Sequence, residues 1–137
     1  MNKTKSNIAI LLLCVLTFIC LLATSLASAE ISPYASPVFE SGYVVTGNNL
    51  FTEFGASAHK ICKKIYISSC TLQEMNSKGA VVSSTKLTPP STIATNTSNY
   101  TAWATYSGTK GKQYRIMAVF VADGYTITRY SNTVTYK

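Results

Sequence analysis

Hydrophobic and polar residues alternate along most of this chain, most sharply near its end. Between Gln113 and Ala122, the residues Tyr114, Ile116, Ala118, Phe120 and Ala122 share one face of an extended segment, because side chains two apart point the same way. Asp123-Gly124 follows, a pair that accepts the two positive φ angles of a tight hairpin turn. Beyond it Tyr130, Asn132, Val134 and Tyr136 again share a face. Residues 113–136 therefore predict a hairpin whose inward side carries Tyr114, Ile116, Phe120 and Val134.

The same period runs through the middle of the chain. Tyr43-Val44-Val45-Thr46 predicts a strand ended by the turn cluster Gly47-Asn48-Asn49. In the next strand Leu50, Thr52, Phe54, Ala56 and Ala58 oppose Phe51, Glu53, Gly55, Ser57 and His59. Lys60 to Met75 supports two readings. Cys70 and Leu72 alternate with Thr71, Gln73 and Met75 as in a third strand, whereas Ile65-Tyr66-Ile67 fits either a strand start or a hydrophobic loop over the core. A turn at Asn76-Ser77-Lys78-Gly79 leads to a strand over Ala80–Leu87, which Pro89-Pro90 stops because proline cannot donate to a ladder. Ser91–Ser98 is polar and reads as a surface crossover. Asn99–Tyr106 alternates again, with Tyr100, Ala102, Ala104 and Tyr106 opposite Thr101, Trp103 and Thr105. No segment has a helical period.

About seven short strands in roughly a hundred residues predict an all-β domain, an immunoglobulin- or fibronectin-III-like β-sandwich of antiparallel strands. Tyr114 stands just after a glycine-containing loop, the place of a tyrosine corner in such folds. Ala118 stands near the position of the immunoglobulin inter-sheet cysteine, which favours a disulfide-independent relative of that fold.

The first 29 residues follow another rule. Lys3 and Lys5 precede an apolar run from Ile8 to Leu22, and Ala27-Ser28-Ala29 closes it, the layout of a secretory signal peptide cut after Ala29. A retained anchor is the competing reading, but the apolar run is short for a membrane span. The domain is then residues 30–137, with 30–42, containing Pro33 and Pro37, as an extended arm or broken edge strand. No sorting tail follows Lys137, so the expectation is a released or non-covalently held extracellular protein.

The whole chain carries a formal charge of +7; without Lys3 and Lys5, ten basic residues face five acidic ones. Such a balance suits anionic neighbours, although only Lys60, Lys63 and Lys64 cluster. Two cysteines survive cleavage, Cys62 and Cys70. In an exported protein the expectation is a disulfide between them, worth roughly 2–3 kcal/mol for so short a loop. A zinc site of His59, Cys62 and Cys70 lacks a fourth ligand of suitable spacing.

One resemblance follows. Tyr106-Ser107-Gly108-Thr109-Lys110-Gly111-Lys112-Gln113-Tyr114-Arg115, then Ala118-Val119-Phe120-Val121-Ala122, then Asn132-Thr133-Val134-Thr135-Tyr136 resemble a group of small secreted Gram-positive bacterial proteins of unknown function. Ser69-Cys70-Thr71-Leu72-Gln73-Glu74 is a weaker echo, with Cys70 where those proteins usually have an aliphatic residue. The resemblance implies an immunoglobulin-like fold and export, and brings no activity with it.

Catalytic chemistry has little to work with. His59 stands alone, the carboxylates Glu30, Glu40, Glu53, Glu74 and Asp123 are scattered, and no nucleophile elbow, phosphate loop or calcium loop occurs. The expectation is a non-enzymatic protein with no metal or cofactor. Nine tyrosines and one tryptophan favour binding instead. The candidate binding residues are Asp123, Gly124 and Tyr125 at the hairpin tip, and Trp103 if its threonine-rich face is exposed. Expected partners are an anionic cell-wall polymer, a glycan or a surface protein, with nucleic acid disfavoured by the small basic cluster. The function read from the sequence is an extracellular or cell-surface binding or adhesion module. The alternative is a secreted effector such as a small bacteriocin or toxin. Intact mass of the exported protein tests the leader: it should begin at Glu30, and a chain beginning at Met1 contradicts cleavage.

Overall fold

The computed structural model describes residues 38–137; the expected leader and the residues up to Pro37 lie outside them. Seven antiparallel strands follow in order: β1 (Phe39–Thr46), β2 (Phe51–Met75), β3 (Val81–Leu87), β4 (Ile93–Thr105), β5 (Gln113–Ala122), β6 (Tyr125–Tyr130) and β7 (Val134–Thr135). The all-β expectation of about seven antiparallel strands holds. The strands form a single sheet organised on β2, which pairs directly with β1, β3, β4 and β5, while β6 and β7 are added through β5.

The ambiguous stretch Lys60–Met75 is thus strand throughout, the far part of a 25-residue β2. Straight, such a strand would run about 80 Å, against a radius of gyration of about 13 Å for a hundred-residue domain. It has to bend, and the pairing shows where. From Ser57 to Cys62, β2 advances five residues while its partner β4 moves only from Asn99 to Thr97, so residues 58–61 contain the extra length. A second irregularity sets Ile67 opposite Phe120 but Ser69 opposite Val119, leaving Ser68 over as a bulge. The Ser68 hydroxyl donates to the Val119 carbonyl at 3.3 Å. The inward parity changes twice along β2, at Lys63–Lys64, where two successive residues are exposed, and again at the Ser68 bulge. Thr52, Phe54, Ala56, Ala58 and Cys62 are buried up to the first change, Ile65 and Ile67 between the two, and Cys70 and Leu72 beyond the bulge.

The bend lays the first half of β2, with β1 and most of β4, against the second half with β5 and β6. Tyr100, in register with Ala56, meets Phe120, in register with Ile67, edge to face at 6.0 Å between ring centroids. A second link joins β1 to the closing segment. The Asn132 side chain accepts from the Thr46 amide (3.1 Å) and donates to the Thr46 carbonyl (2.9 Å), standing in for a strand partner. Tyr114 is a tyrosine corner as expected: its ring is buried over Gly108, and its hydroxyl accepts from the Thr109 amide at 3.0 Å. The expected inward residues Tyr114, Ile116, Phe120 and Val134 are all buried.

Three expectations change. Cys62 and Cys70 are free, buried thiols and form no disulfide. They lie on one strand, eight residues and roughly 25 Å apart, whereas a disulfide needs Cα atoms about 4.4–6.8 Å apart. The same separation keeps His59, Cys62 and Cys70 from converging on one ion. The polar stretch Ser91–Ser98 is no free crossover: from Ile93 it is the start of β4, paired with Cys62–Tyr66 through a backbone ladder that asks little of side-chain polarity. The closing strand is broken. Ser131 turns out of line, its amide donating to the Ile116 carbonyl while its hydroxyl accepts from the Ile116 amide, so Tyr130 is exposed while Val134 is buried.

Thiol titration checks the cysteines. Cys62 and Cys70 should react with an alkylating reagent only after denaturation, and reduction should leave the native mass unchanged. Phe54→Ala should lower stability by about 3–5 kcal/mol by leaving a core cavity, and Tyr114→Phe by about 1 kcal/mol, both read from urea unfolding.

Candidate functional site

The structure separates the sequence candidates. Asp123 and Gly124 form the predicted two-residue turn, with φ of 48° and 86°. The Asp123 carboxylate, however, is turned onto the protein itself: one oxygen accepts from the amides of both Lys63 (2.9 Å) and Lys64 (3.2 Å). Successive amides of a regular strand point to opposite edges, so two of them converging on one oxygen mark a local break in β2. Asp123 thereby fastens the hairpin tip to β2 just after its bend. Tyr125, next to the turn, is exposed.

Trp103 lies elsewhere, 57 % exposed on the outer side of the first layer. It is opposite Glu53 on β2, which is itself opposite Val45 on β1. The neighbouring row is Tyr43, Gly55 and Thr101, and Phe51 is opposite Thr105. Tyr43, Val45, Phe51 and Trp103 are all large exposed side chains. Together they make an aromatic platform about 10 Å by 14 Å, from three strands 4.8 Å apart and four residues along β2.

Local chemistry fixes the shape of this platform. Tyr43 lies directly over Gly55, where any β-carbon would collide with its ring. Its hydroxyl donates to the Glu53 carboxylate at 2.7 Å, and this hydrogen bond to a carboxylate pushes the phenol above its ordinary value. Glycine at 55 therefore lets an aromatic ring lie flat on the sheet, and Glu53 holds it there. Thr101, Thr105, Ser57 and Asn99 supply hydroxyl and amide groups on the same side. The sequence singled out Trp103 here but missed Tyr43 and Phe51; the signal was their shared odd parity across β1 and β2, readable only once the pairing register is known.

Other candidates are occupied. Cys70 is deep in the core, and burial pushes its thiol up to about 11, with the neighbouring Tyr106 hydroxyl acting in the opposite direction. Burial, reinforced by the Asp123 carboxylate, raises Cys62 as well. A thiol so shifted is protonated at neutral pH and is a poor nucleophile. The Tyr100 and Tyr106 hydroxyls donate to the carbonyls of Thr92 and Thr88, tying down the Pro89-Pro90 connection. A hollow of about 300 Å³ beside Gly111, Gln113 and Thr135 is crossed by a 2.8 Å ion pair between Lys112 and Glu74. Among the described residues no group of three His, Cys, Asp or Glu side chains is placed to hold a metal ion.

Comparison of the chain with protein families, with curated proteins and with solved structures gives no match.

The clamp makes a specific prediction about Asp123. Asp123→Ala removes both amide contacts and should lower stability by about 1–2 kcal/mol. Asp123→Asn keeps an acceptor oxygen and tolerates the positive φ, so it should cost less than half as much in the same urea titration.

Proposed function

We propose that this protein is an exported carbohydrate-binding module that takes a glycan chain on the platform of Tyr43, Val45, Phe51 and Trp103. The observation carrying this reading is that three exposed aromatic residues, Tyr43, Phe51 and Trp103, share the outer face of three paired strands with hydrogen-bonding side chains between them. An aromatic face is electron-rich and its edge electron-poor, so it attracts the polarised C–H groups on the face of a sugar ring. Glu53 and the threonine hydroxyls beside the rings can meet the sugar's hydroxyl groups. Size decides between a glycan and a folded protein partner. The platform offers on the order of 140 Å² of sheet, far below the roughly 800 Å² per partner of a stable protein interface. Its length suits several sugar units in a row. The secretory leader expected over residues 1–29 would deliver it to where such polymers lie.

Retention on insoluble polysaccharides, peptidoglycan and mucin among them, tests the reading. Saturable binding to at least one is expected, and Trp103→Ala should weaken it about tenfold or more while changing stability by no more than about 0.5 kcal/mol. Retention on none of them, or retention that Trp103→Ala leaves intact, contradicts it.

A further inference from the structure

The bend of β2 does more than fold the sheet. Because β2 takes five steps where β4 takes two, the extra residues are pushed outward. His59, Lys60 and Ile61 are exposed there, and Ile61 is the most exposed large hydrophobic residue described, at 72 %. Lys63 and Lys64 follow, also exposed. The Asp123 clamp then brings the β5–β6 turn to the same place, setting Gly124 and Tyr125 beside the lysines. Two features far apart in sequence, the lysine cluster and the hairpin tip, thus form one corner.

Positive charge predominates at this corner, with Lys60, Lys63 and Lys64 against the one carboxylate of Asp123. Among the described residues none of Lys60, Lys63 and Lys64 makes an ion pair. The Asp123 carboxylate accepts from backbone amides, and Glu40 lies on β1 at the irregularity beside Ser57 and Ala58, next to the start of the extruded segment. A corner that only recruited a soluble polyanion would gain nothing from an isoleucine at its apex. An aliphatic apex, a flanking tyrosine and three unpaired lysines match the layers of an anionic bilayer. The apolar group enters the acyl boundary, tyrosine sits at the headgroups, and each lysine near the surface gains on the order of 1 kcal/mol.

We infer that the β2 bend and the β5–β6 turn form a docking corner for an anionic lipid surface, with Ile61 and Tyr125 inserted and Lys60, Lys63 and Lys64 on the phosphates. The corner is separate from the aromatic platform, and the inference stands whether or not that platform binds glycan.

Co-sedimentation with phosphatidylcholine vesicles, with and without phosphatidylglycerol, tests it, using the chain as the cell exports it. Binding is expected only to the anionic vesicles and should be lost at about 1 M salt, where charges are screened within a few ångströms. Replacing Lys60, Lys63 and Lys64 together with Gln should weaken binding roughly a hundredfold. Ile61→Ser should weaken it about tenfold, with the thermal unfolding of both variants unchanged because every altered side chain is exposed. Polyphosphate provides the contrast. Absence of binding to anionic vesicles overturns the inference. So does an Ile61→Ser protein that binds vesicles as before while polyphosphate competes fully, since the corner would then be a polyanion site.

Discussion

A strand of 25 residues cannot run straight through a domain of this size, and the way β2 changes direction decides where almost everything else lies. One half of β2 carries β1 and most of β4; the other carries β5 and β3. The two halves face each other because residues 58–61 absorb the turn, the break at Lys63–Lys64 shifts the inward parity and Ser68 shifts it back. Without those irregularities a period of two would send Ile65 and Ile67 outward, since a slip of one residue exchanges the faces of a strand. Asp123 and Asn132 are the polar fastenings of this arrangement, one holding the hairpin tip to β2 and the other holding β1 to the closing segment. Both satisfy backbone groups that a bent sheet would otherwise leave without partners, and such groups are costly to leave unmet.

The same constraint sorts the aromatic residues. Tyr100 and Tyr114 fill the space between the layers, while Tyr43, Phe51 and Trp103 remain outside, on the outward parity of β1, β2 and β4. Exposed aromatic rings on a sheet face have no role in the core, and here one ring is additionally seated over a glycine and tethered by Glu53. A residue retained for packing alone would not need that support on its solvent side. The extruded bend is the counterpart of the platform: one is aromatic and carries the Glu53 carboxylate, the other is aliphatic and basic.

Much of this was legible in the alternation of residues. The common face of Leu50, Thr52, Phe54, Ala56 and Ala58, the Asp123-Gly124 turn, and the Tyr114 corner all follow from local rules, and the structure adds that this face of β2 is the buried one. What could not be read is long-range. The identity of Lys60–Met75 as a continuation of the preceding strand depends on its pairing with β4 and β5, which lie well beyond it in the sequence. The same continuity rules out a bond between Cys62 and Cys70, which look close in sequence and are far apart in an extended chain. Ser91–Ser98 lacked any apolar face, yet its backbone completes the ladder beside the bend. The platform itself combines three strands, so no single segment announces it.

The most direct measurement of the central claim uses the single tryptophan in the chain, which sits on the platform. In the free protein Trp103 emission should be that of a solvated indole and should be quenched readily by iodide. Adding a soluble oligosaccharide cut from a polysaccharide that retains the protein should shift the emission to shorter wavelength and shield it from the quencher, saturably. A tryptophan already shielded in the free protein, or one whose emission and quenching stay the same while the oligosaccharide binds, would contradict the account.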